Sequence, residues 1–298
     1  MTEPIERVQR AMSEHGYITD RATATAAHLA IALRKPLLIE GPPGVGKTEV
    51  AKVLARVLDT ELIRLQCYEG LDVATALYEW NYPKQLLHIK LGETSGESIR
   101  EREAQIFSEA FLLERPLLRA IRATRRAVLL IDEVDRSDEE FEAFLLEVLS
   151  EHQVTIPEIG TVRATHEPCV VLTSNRTREL SEALRRRCLY LWIDYPSLAK
   201  ELAIVRARVP GIDAQLAGDL TSFIQAVRRR RLVKTPGVAE TLDWANALVA
   251  LDAERVSDGV VTETLGCFLK DEADVRQLRT EIETSGVAAL VDAGRAPA

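Results

Sequence analysis

Metal-binding spacing is missing from this sequence. Its cysteines, Cys67, Cys169, Cys188 and Cys267, form no CxxC pair, and its five histidines are equally scattered. No metal-ligand cluster is readable, and the thiols read as reduced core residues of a cytoplasmic protein. Positive charge is in deficit: 38 Lys and Arg face 46 Asp and Glu, for a net charge of −8. That balance disfavours a generic, salt-driven grip on nucleic acid, although a local basic stripe remains open. No basic tract is interleaved with aromatics, which argues further against a nucleic-acid motor. No apolar run approaches the roughly 18 residues of a membrane span. The N-terminal "MTEPIERVQRAMSEHG" is charged and has no apolar h-region, so no signal peptide is expected.

What is present is a chain of 298 residues, 46% hydrophobic and 28% charged, long enough for one large domain or two ordinary ones. Residues 4–32 read as helices. "PLLIE", "LIRLQ", "AVLLIDEVD", "CVVLTSN" and "LYLWID" read as buried strands, and helical periodicity lies between them, as in "KTEVAKVLARVLD". Such alternation predicts a parallel α/β sheet flanked by helices. After Pro196 only helical periodicity remains, so residues 1–196 are expected to form the α/β domain. Residues 197–298 are expected to form an all-α second domain ending in a frayed tail, "VDAGRAPA". Two inserts stand out. The stretch 67–126 holds "LYEWNYPKQLLHIKL", a Gly/Ser turn "GETSGES" and helices around Pro116. The stretch 153–165 reads as a hairpin.

The chemistry is concentrated at "GPPGVGKT", where Gly41, Pro42, Pro43, Gly44, Val45, Gly46, Lys47 and Thr48 fit G-x-x-x-x-G-K-[ST], with Glu49 following. A strand precedes and a helix follows, the context a phosphate loop needs. Glycines let backbone N–H groups turn inward around phosphates, and the helix N-terminus adds its positive dipole. Lys47 is expected to meet the β- and γ-phosphates of ATP and Thr48 to ligate Mg²⁺. The strand end "LLIDEVD" supplies Asp132 to orient the metal and Glu133 to take a proton from attacking water. That glutamate favours hydrolysis over transfer to a small-molecule acceptor. Asp135, Asp138, Glu139 and Glu140 read as a solvated acidic turn.

With "IDEVD", a strand ending "TSN" and a helical last third, the sequence resembles an AAA+ ATPase. "EHQVTIPEIGTV" and "SEALRRRC" are similar to the MoxR branch. "YEWNYPKQLLHI" and "KTPGVAETLDWANAL" look like the subgroup associated with maturation of carbon monoxide dehydrogenase and related molybdenum hydroxylases. The resemblance implies that Asn175 is sensor 1 and that Arg187, with Arg186 second, is an arginine finger reaching ATP on a neighbouring subunit. It implies a ring, a hexamer by analogy, whose inserts face the client. It also implies a von Willebrand factor A domain partner and a client metalloenzyme. An S-P-R-like sensor 2 context is missing: "KTPGV" puts Gly237 where the arginine would be, with Lys234 nearby as a substitute. Gln66 is a candidate to restrain Glu133.

The expected function is therefore an ATP-hydrolysing remodelling chaperone. The alternatives are a Rubisco- or nitric oxide reductase-activating relative of the same branch, a nucleic-acid motor, or a nucleotide-gated scaffold with little turnover. The runs Arg119, Arg122, Arg125, Arg126 and Arg228 to Arg231 read as solvated or subunit-facing surface.

Overall fold

The computed structural model describes residues 2–92 and 105–296. Apart from Gly92, the expected "GETSGES" turn lies outside the described residues. The chain divides into two compact units. The first comprises Met1–Ala11, Arg21–Glu40 and Thr48–Trp192; the second comprises Met12–Asp20, Gly41–Lys47 and Ile193–Ala298. Helix α1 is Thr2–Glu14, and α2 is Arg21–Leu33.

In the first unit, strands β1 (Leu37–Glu40), β2 (Leu62–Gln66), β5 (Val128–Asp132), β8 (Cys169–Ser174) and β9 (Leu189–Trp192) form a parallel sheet in the order β2-β5-β8-β1-β9. Their continuous apolar runs suit a sheet covered on both faces, and β1, β5 and β8 are buried throughout. Helix α3 (Lys47–Val57) contributes Val50, Val53 and Leu54 to this buried set, at helical spacing. The register aligns the strand ends, with Gln66 opposite Asp132 on β5, and Ser174 and Trp192 each opposite Glu40. Open parallel sheets bind ligands at this carboxyl edge.

The first insert contains α4 (Val73–Leu77), α5 (Tyr82–Gly92) and a small antiparallel pair, β3 (Tyr78–Trp80) with β4 (Leu112–Glu114). Of the helices expected around Pro116, α6 (Pro116–Ile121) follows the proline; directly before it Leu112–Glu114 is the strand β4, Gln105 and Ile106 are helical, and residues 93–104 lie outside the described residues. Trp80 is buried, edge-on to Tyr78 and Phe107 at 5.9 and 5.4 Å. Helix α5 buries Gln85 and leaves Tyr82, Leu86, Leu87 and Leu91 exposed. Arg119, Arg122, Arg125 and Arg126, expected as solvated or subunit-facing surface, do not share one helix, because α6 stops at Ile121. Arg119 pairs with Glu61 and Arg122 with Glu109 (2.7 Å) and Glu114 (3.2 Å). Arg125 donates to the Asp59 carbonyl at 2.8 Å, and Arg126 reaches the Ile31 carbonyl. The second insert is the expected hairpin, β6 (Gln153–Ile156) against β7 (Gly160–Arg163), after helix α7 (Glu139–Glu151). Helix α8 (Glu182–Arg187) leads into β9.

The second unit is built from α9 (Leu198–Arg208), α10 (Ala214–Arg228), α11 (Val238–Ala250), α12 (Asp258–Phe268) and α13 (Glu272–Arg295). Phe223, Trp244 and Phe268 form its aromatic centre, with the Trp244 and Phe268 rings 4.5 Å apart and Trp244 Nε1 donating to Thr264 at 2.8 Å. The expected frayed tail is instead helical to Arg295. Val287, Leu290 and Val291 bury their side chains in this unit's core, which holds the segment down beyond the kink at Gly286. The Arg228–Arg231 run is likewise not a free basic surface. Arg228 is 6% exposed and bonds to the fully buried Glu201 at 2.6 Å. Arg230 pairs with Glu281, and Arg229 donates to the carbonyls of Ala293 and Ala296 at the end of α13.

Candidate nucleotide site

The phosphate-loop motif joins β1 to α3. Within the second unit, Gly41 runs so close to Ile193 that a Cβ there would lie 1.9 Å from its carbonyl oxygen. Gly44 has φ +75°, a left-handed conformation that side chains avoid. Pro42, Pro43 and Val45 fill the remaining turn positions, and Gly46 also has positive φ. Lys47 is buried and turns its ammonium back on the loop, donating to the Gly41 and Pro42 carbonyls at 2.7 Å each. The Gly44 carbonyl accepts from Val238 N at 2.9 Å and Ala239 N at 3.2 Å, the opening N–H groups of α11. Glu240 Oε2 accepts the Gly237 N–H at 2.9 Å. The phosphate loop itself thus satisfies donors that a helix start leaves unpaired. Lys234, considered as a substitute for the missing arginine, is exposed, and its backbone N–H is held by Asp274.

In the first unit, the strand ends gather an acidic cluster. Asp132 Oδ1 accepts from Thr48 Oγ1 at 3.0 Å and Thr173 Oγ1 at 2.5 Å. Asp132 Oδ2 accepts from Arg64 Nε at 3.0 Å and Nη2 at 2.6 Å. Glu49, one residue beyond Thr48, pairs with Lys52 at 3.3 Å. Burial, with the charges of Asp132, Asp135 and Glu133 adding to it, pushes the Cys67 thiol up to about 12. Hard oxygen donors side by side in a negative field are the set that Mg²⁺ takes, so Thr48 and Asp132 fit that ion.

Glu133 follows on β5 with φ 54°, a left-handed residue at the strand's end. Its carboxylate faces Asn175 Nδ2 at 3.4 Å and Arg136 Nε at 3.1 Å. Its backbone N–H donates to Thr173 Oγ1 at 2.9 Å. Asp135, expected to be solvated, is 2% exposed. It accepts Asn175 N at 3.2 Å, Thr177 N at 2.8 Å and Thr177 Oγ1 at 2.7 Å, so it anchors the turn after β8. Asp138 caps α7 through Phe141 N, whereas Glu139 and Glu140 are exposed in its first turn. Gln66 does not reach Glu133: its Oε1 accepts from Arg64 and its Nε2 donates to the Cys67 carbonyl. Arg64 belongs to no motif and Asp135, the last residue of "IDEVD", reads in the sequence as solvated; both act through partners distant in sequence, which is why the sequence does not show their roles.

The arginine triplet lies on α8, exposed. Arg187 donates to Ser150 Oγ at 2.7 Å and the Ala183 carbonyl at 3.2 Å; Arg186 pairs with Glu182; Arg185 stands 5.8 Å from the Tyr190 ring centre. Its guanidinium groups therefore sit at a surface of this unit rather than in the acidic cluster.

A parallel sheet of this order, a phosphate-loop motif between β1 and α3, and paired acids at the end of β5 define the AAA+ ATPase class. The chain belongs to the AAA domain family, dynein-related subfamily, whose model matches residues 36–188. An uncharacterized protein of Staphylococcus aureus is 28% identical over 188 residues, 61% of this chain and 64% of its own length. The chain thus spans less than two thirds of that relative. An uncharacterized protein of Staphylococcus epidermidis is 24% identical over 274 residues, covering 89% of this chain and 96% of its own. Among solved structures, a variant of Thermotoga maritima RuvB superposes with a TM-score of 0.50 at 20% identity, covering 96% of this chain and 80% of that one. A second RuvB variant gives 0.50 at 19%, covering 97% and 81%. That likeness establishes the fold. Among the described residues, no helix is long and apolar enough to cross a membrane.

Proposed function

We propose that this chain hydrolyses ATP with Mg²⁺ and works as a ring-forming remodelling ATPase of the MoxR kind. The observation that carries this reading is Glu133, whose carboxylate faces Asn175 Nδ2 next to the Thr48–Asp132 pair. Lys47 leaves the Gly41 and Pro42 carbonyls and meets the β- and γ-phosphates. Thr48 and Asp132 would hold Mg²⁺, which when bound would neutralise phosphate charge. Glu133 takes the proton of a water that attacks the γ-phosphorus, and Asn175 orients that water; ADP and phosphate leave. Arg187, with Arg186 beside it, reaches the nucleotide of a neighbouring copy and offsets the charge that develops there. In this reading the arginine-finger role of Arg187 and Arg186 requires a ring, for which six subunits is the number implied by family.

The job is maturation of a metal-cofactor enzyme in the cytoplasm, a molybdenum hydroxylase in the subgroup that the sequence resembles, with a von Willebrand factor A domain protein as adaptor. The exposed apolar side chains of α5 support a protein client over a nucleic acid, as does the net charge of −8.

Glu133→Gln tests the chemistry. It is expected to keep ATP binding and to lower phosphate release by about 10²- to 10⁴-fold. Release at the wild-type rate would sink the assignment of Glu133, and no release by the wild type would sink the ATPase reading. Held with ATP and Mg²⁺ in extract from its own cell, the variant is expected to retain a molybdenum enzyme or a von Willebrand A protein, and to lose it on Lys47→Ala. Retention of nucleic acid, with hydrolysis stimulated by DNA, would overturn the maturation role.

A further inference from the structure

The carboxylate of Asp132 has a cation on it already. Arg64 gives both Nε and Nη2 to Oδ2, at 3.0 and 2.6 Å, while Oδ1 is taken by the two threonine hydroxyls. Arg64 lies two residues before the end of β2, on the same face of the strand as Gln66. Gln66 stands opposite Asp132 in the sheet, and its Oε1 accepts from the same guanidinium. The two partners of the ion pair differ in access to water. The Asp132 side chain is 4% exposed and that of Arg64 is 51% exposed.

A carboxylate this deeply buried needs a counter-charge, because an unpaired ion out of water is costly. Arg64 supplies one. A divalent metal held by Thr48 and Asp132 would supply two, and the guanidinium would then be a like charge beside it. The half-exposed partner is the one that can leave, since its head already borders solvent and its stem can stay on the sheet. The charge of the metal would replace the charge that leaves, so the buried carboxylate would keep a counter-ion throughout the exchange.

We propose that Arg64 is a positioning residue that serves as the resident counter-ion of Asp132 and is displaced by the divalent metal, so that it sets the metal concentration at which the site fills. The inference rests on the nucleotide reading above for the identity of the metal, and on the Arg64–Asp132 geometry for everything else. It makes Arg64 a competitor of the metal rather than a phosphate ligand, and the two roles give opposite results.

The test is a Mg²⁺ titration of fluorescent ATP-analogue binding by the full chain, comparing wild type with Arg64→Gln and Arg64→Met. Methionine keeps an apolar stem along the strand if glutamine disturbs folding, and circular dichroism checks each variant. Removing the competing charge is expected to lower the Mg²⁺ midpoint by about 3- to 10-fold. Affinity in EDTA should stay within about twofold of wild type, as expected for a residue that does not touch phosphate. Arg64→Lys, which keeps the charge, is expected to restore the wild-type midpoint. An unchanged or raised midpoint in the neutral variants would overturn the proposal. So would loss of affinity in EDTA, which would make Arg64 a phosphate contact. A parallel titration with Mn²⁺ alone, followed by electron paramagnetic resonance, reads the same competition without nucleotide. If wild type binds no ATP analogue, the nucleotide reading fails, while tighter Mn²⁺ binding by the neutral variants would still uphold the role of Arg64 and unchanged binding would reject it.

Discussion

Gly237 lies so close to Gly44 that a Cβ on it would stand 2.8 Å from the Gly44 Cα. The position where the family resemblance leads one to expect an arginine is therefore one where the backbone of the phosphate loop leaves no room for any side chain. The contact is completed by hydrogen bonds from Val238 and Ala239 to the Gly44 carbonyl. A shift in the loop would be felt directly by α11, backbone to backbone, with no long side chain needed to carry it.

Gly237→Ala is accordingly expected to destabilise the protein by about 1–3 kcal/mol, the range for forcing atoms into a packed site. Gly237→Arg should cost more and should not confer tighter ATP binding. Thermal unfolding measures the first effect and nucleotide titration the second. A stabilised Gly237→Ala would contradict the steric account.

Asp135→Ala removes a buried acceptor of three hydrogen bonds from the turn that carries Asn175. A loss of about 1–3 kcal/mol in stability is expected from the orphaned donors. Because Asn175 would no longer be held beside Glu133, ATP turnover should fall about tenfold while ATP affinity changes little. Turnover at the wild-type rate in a folded variant would show that the turn holds without Asp135.

Arg187→Ala separates the proposed role in a neighbour's site from a structural one. Its bond to Ser150 is exposed and contributes little, so folding should be unaffected. Turnover is expected to drop by about 10³-fold or more if the residue acts as an arginine finger. Mixing this variant with Glu133→Gln subunits should restore partial activity, since intact Glu133 sites of the first can then face intact Arg187 of the second. Absence of any recovery in mixed assemblies would count against action between subunits.

Glu201→Ala leaves Arg228 charged and buried in the helical unit, where it also bonds to Thr241 and the Pro236 carbonyl. Breaking a buried pair in this way costs about 3–5 kcal/mol. Denaturant unfolding should report that loss, and a shift below about 1 kcal/mol would show that water reaches the site.

Alkaline pH should destabilise the fold. Burial raises the thiol of Cys169 and pushes that of Cys188 up to about 12, from an ordinary 9.0, against the pull of Arg126 and Arg187 respectively. Between those values the unfolded chain releases its thiol protons while the folded chain keeps them, so stability falls as pH rises from about 9 towards 12. Cys188→Ala should flatten the decline, as read from unfolding midpoints across that range.

The sequence by itself determined the elements that obey local rules. The strand, the glycines at Gly41, Gly44 and Gly46, Lys47 and Thr48 stand within a dozen residues, and their spacing already dictates a turn lined with N–H groups. The alternation of apolar runs with helical periodicity likewise required a parallel sheet, and the hairpin at Gln153–Arg163 followed from its two β-type runs. Tertiary structure alone decided what the acids and arginines do. Arg64 and Asp132 are 68 positions apart, Asn175 and Asp135 are 40 apart, and Arg228 and Glu201 are 27 apart. Whether a charge is solvated or clamped depends on which strand lies beside it and in what register, and sequence patterning fixes the face a side chain takes without naming the neighbour it meets. The same holds for Gly237: the sequence shows only that an arginine is absent there, and the fold puts the backbone of Gly44 in the space a side chain would need.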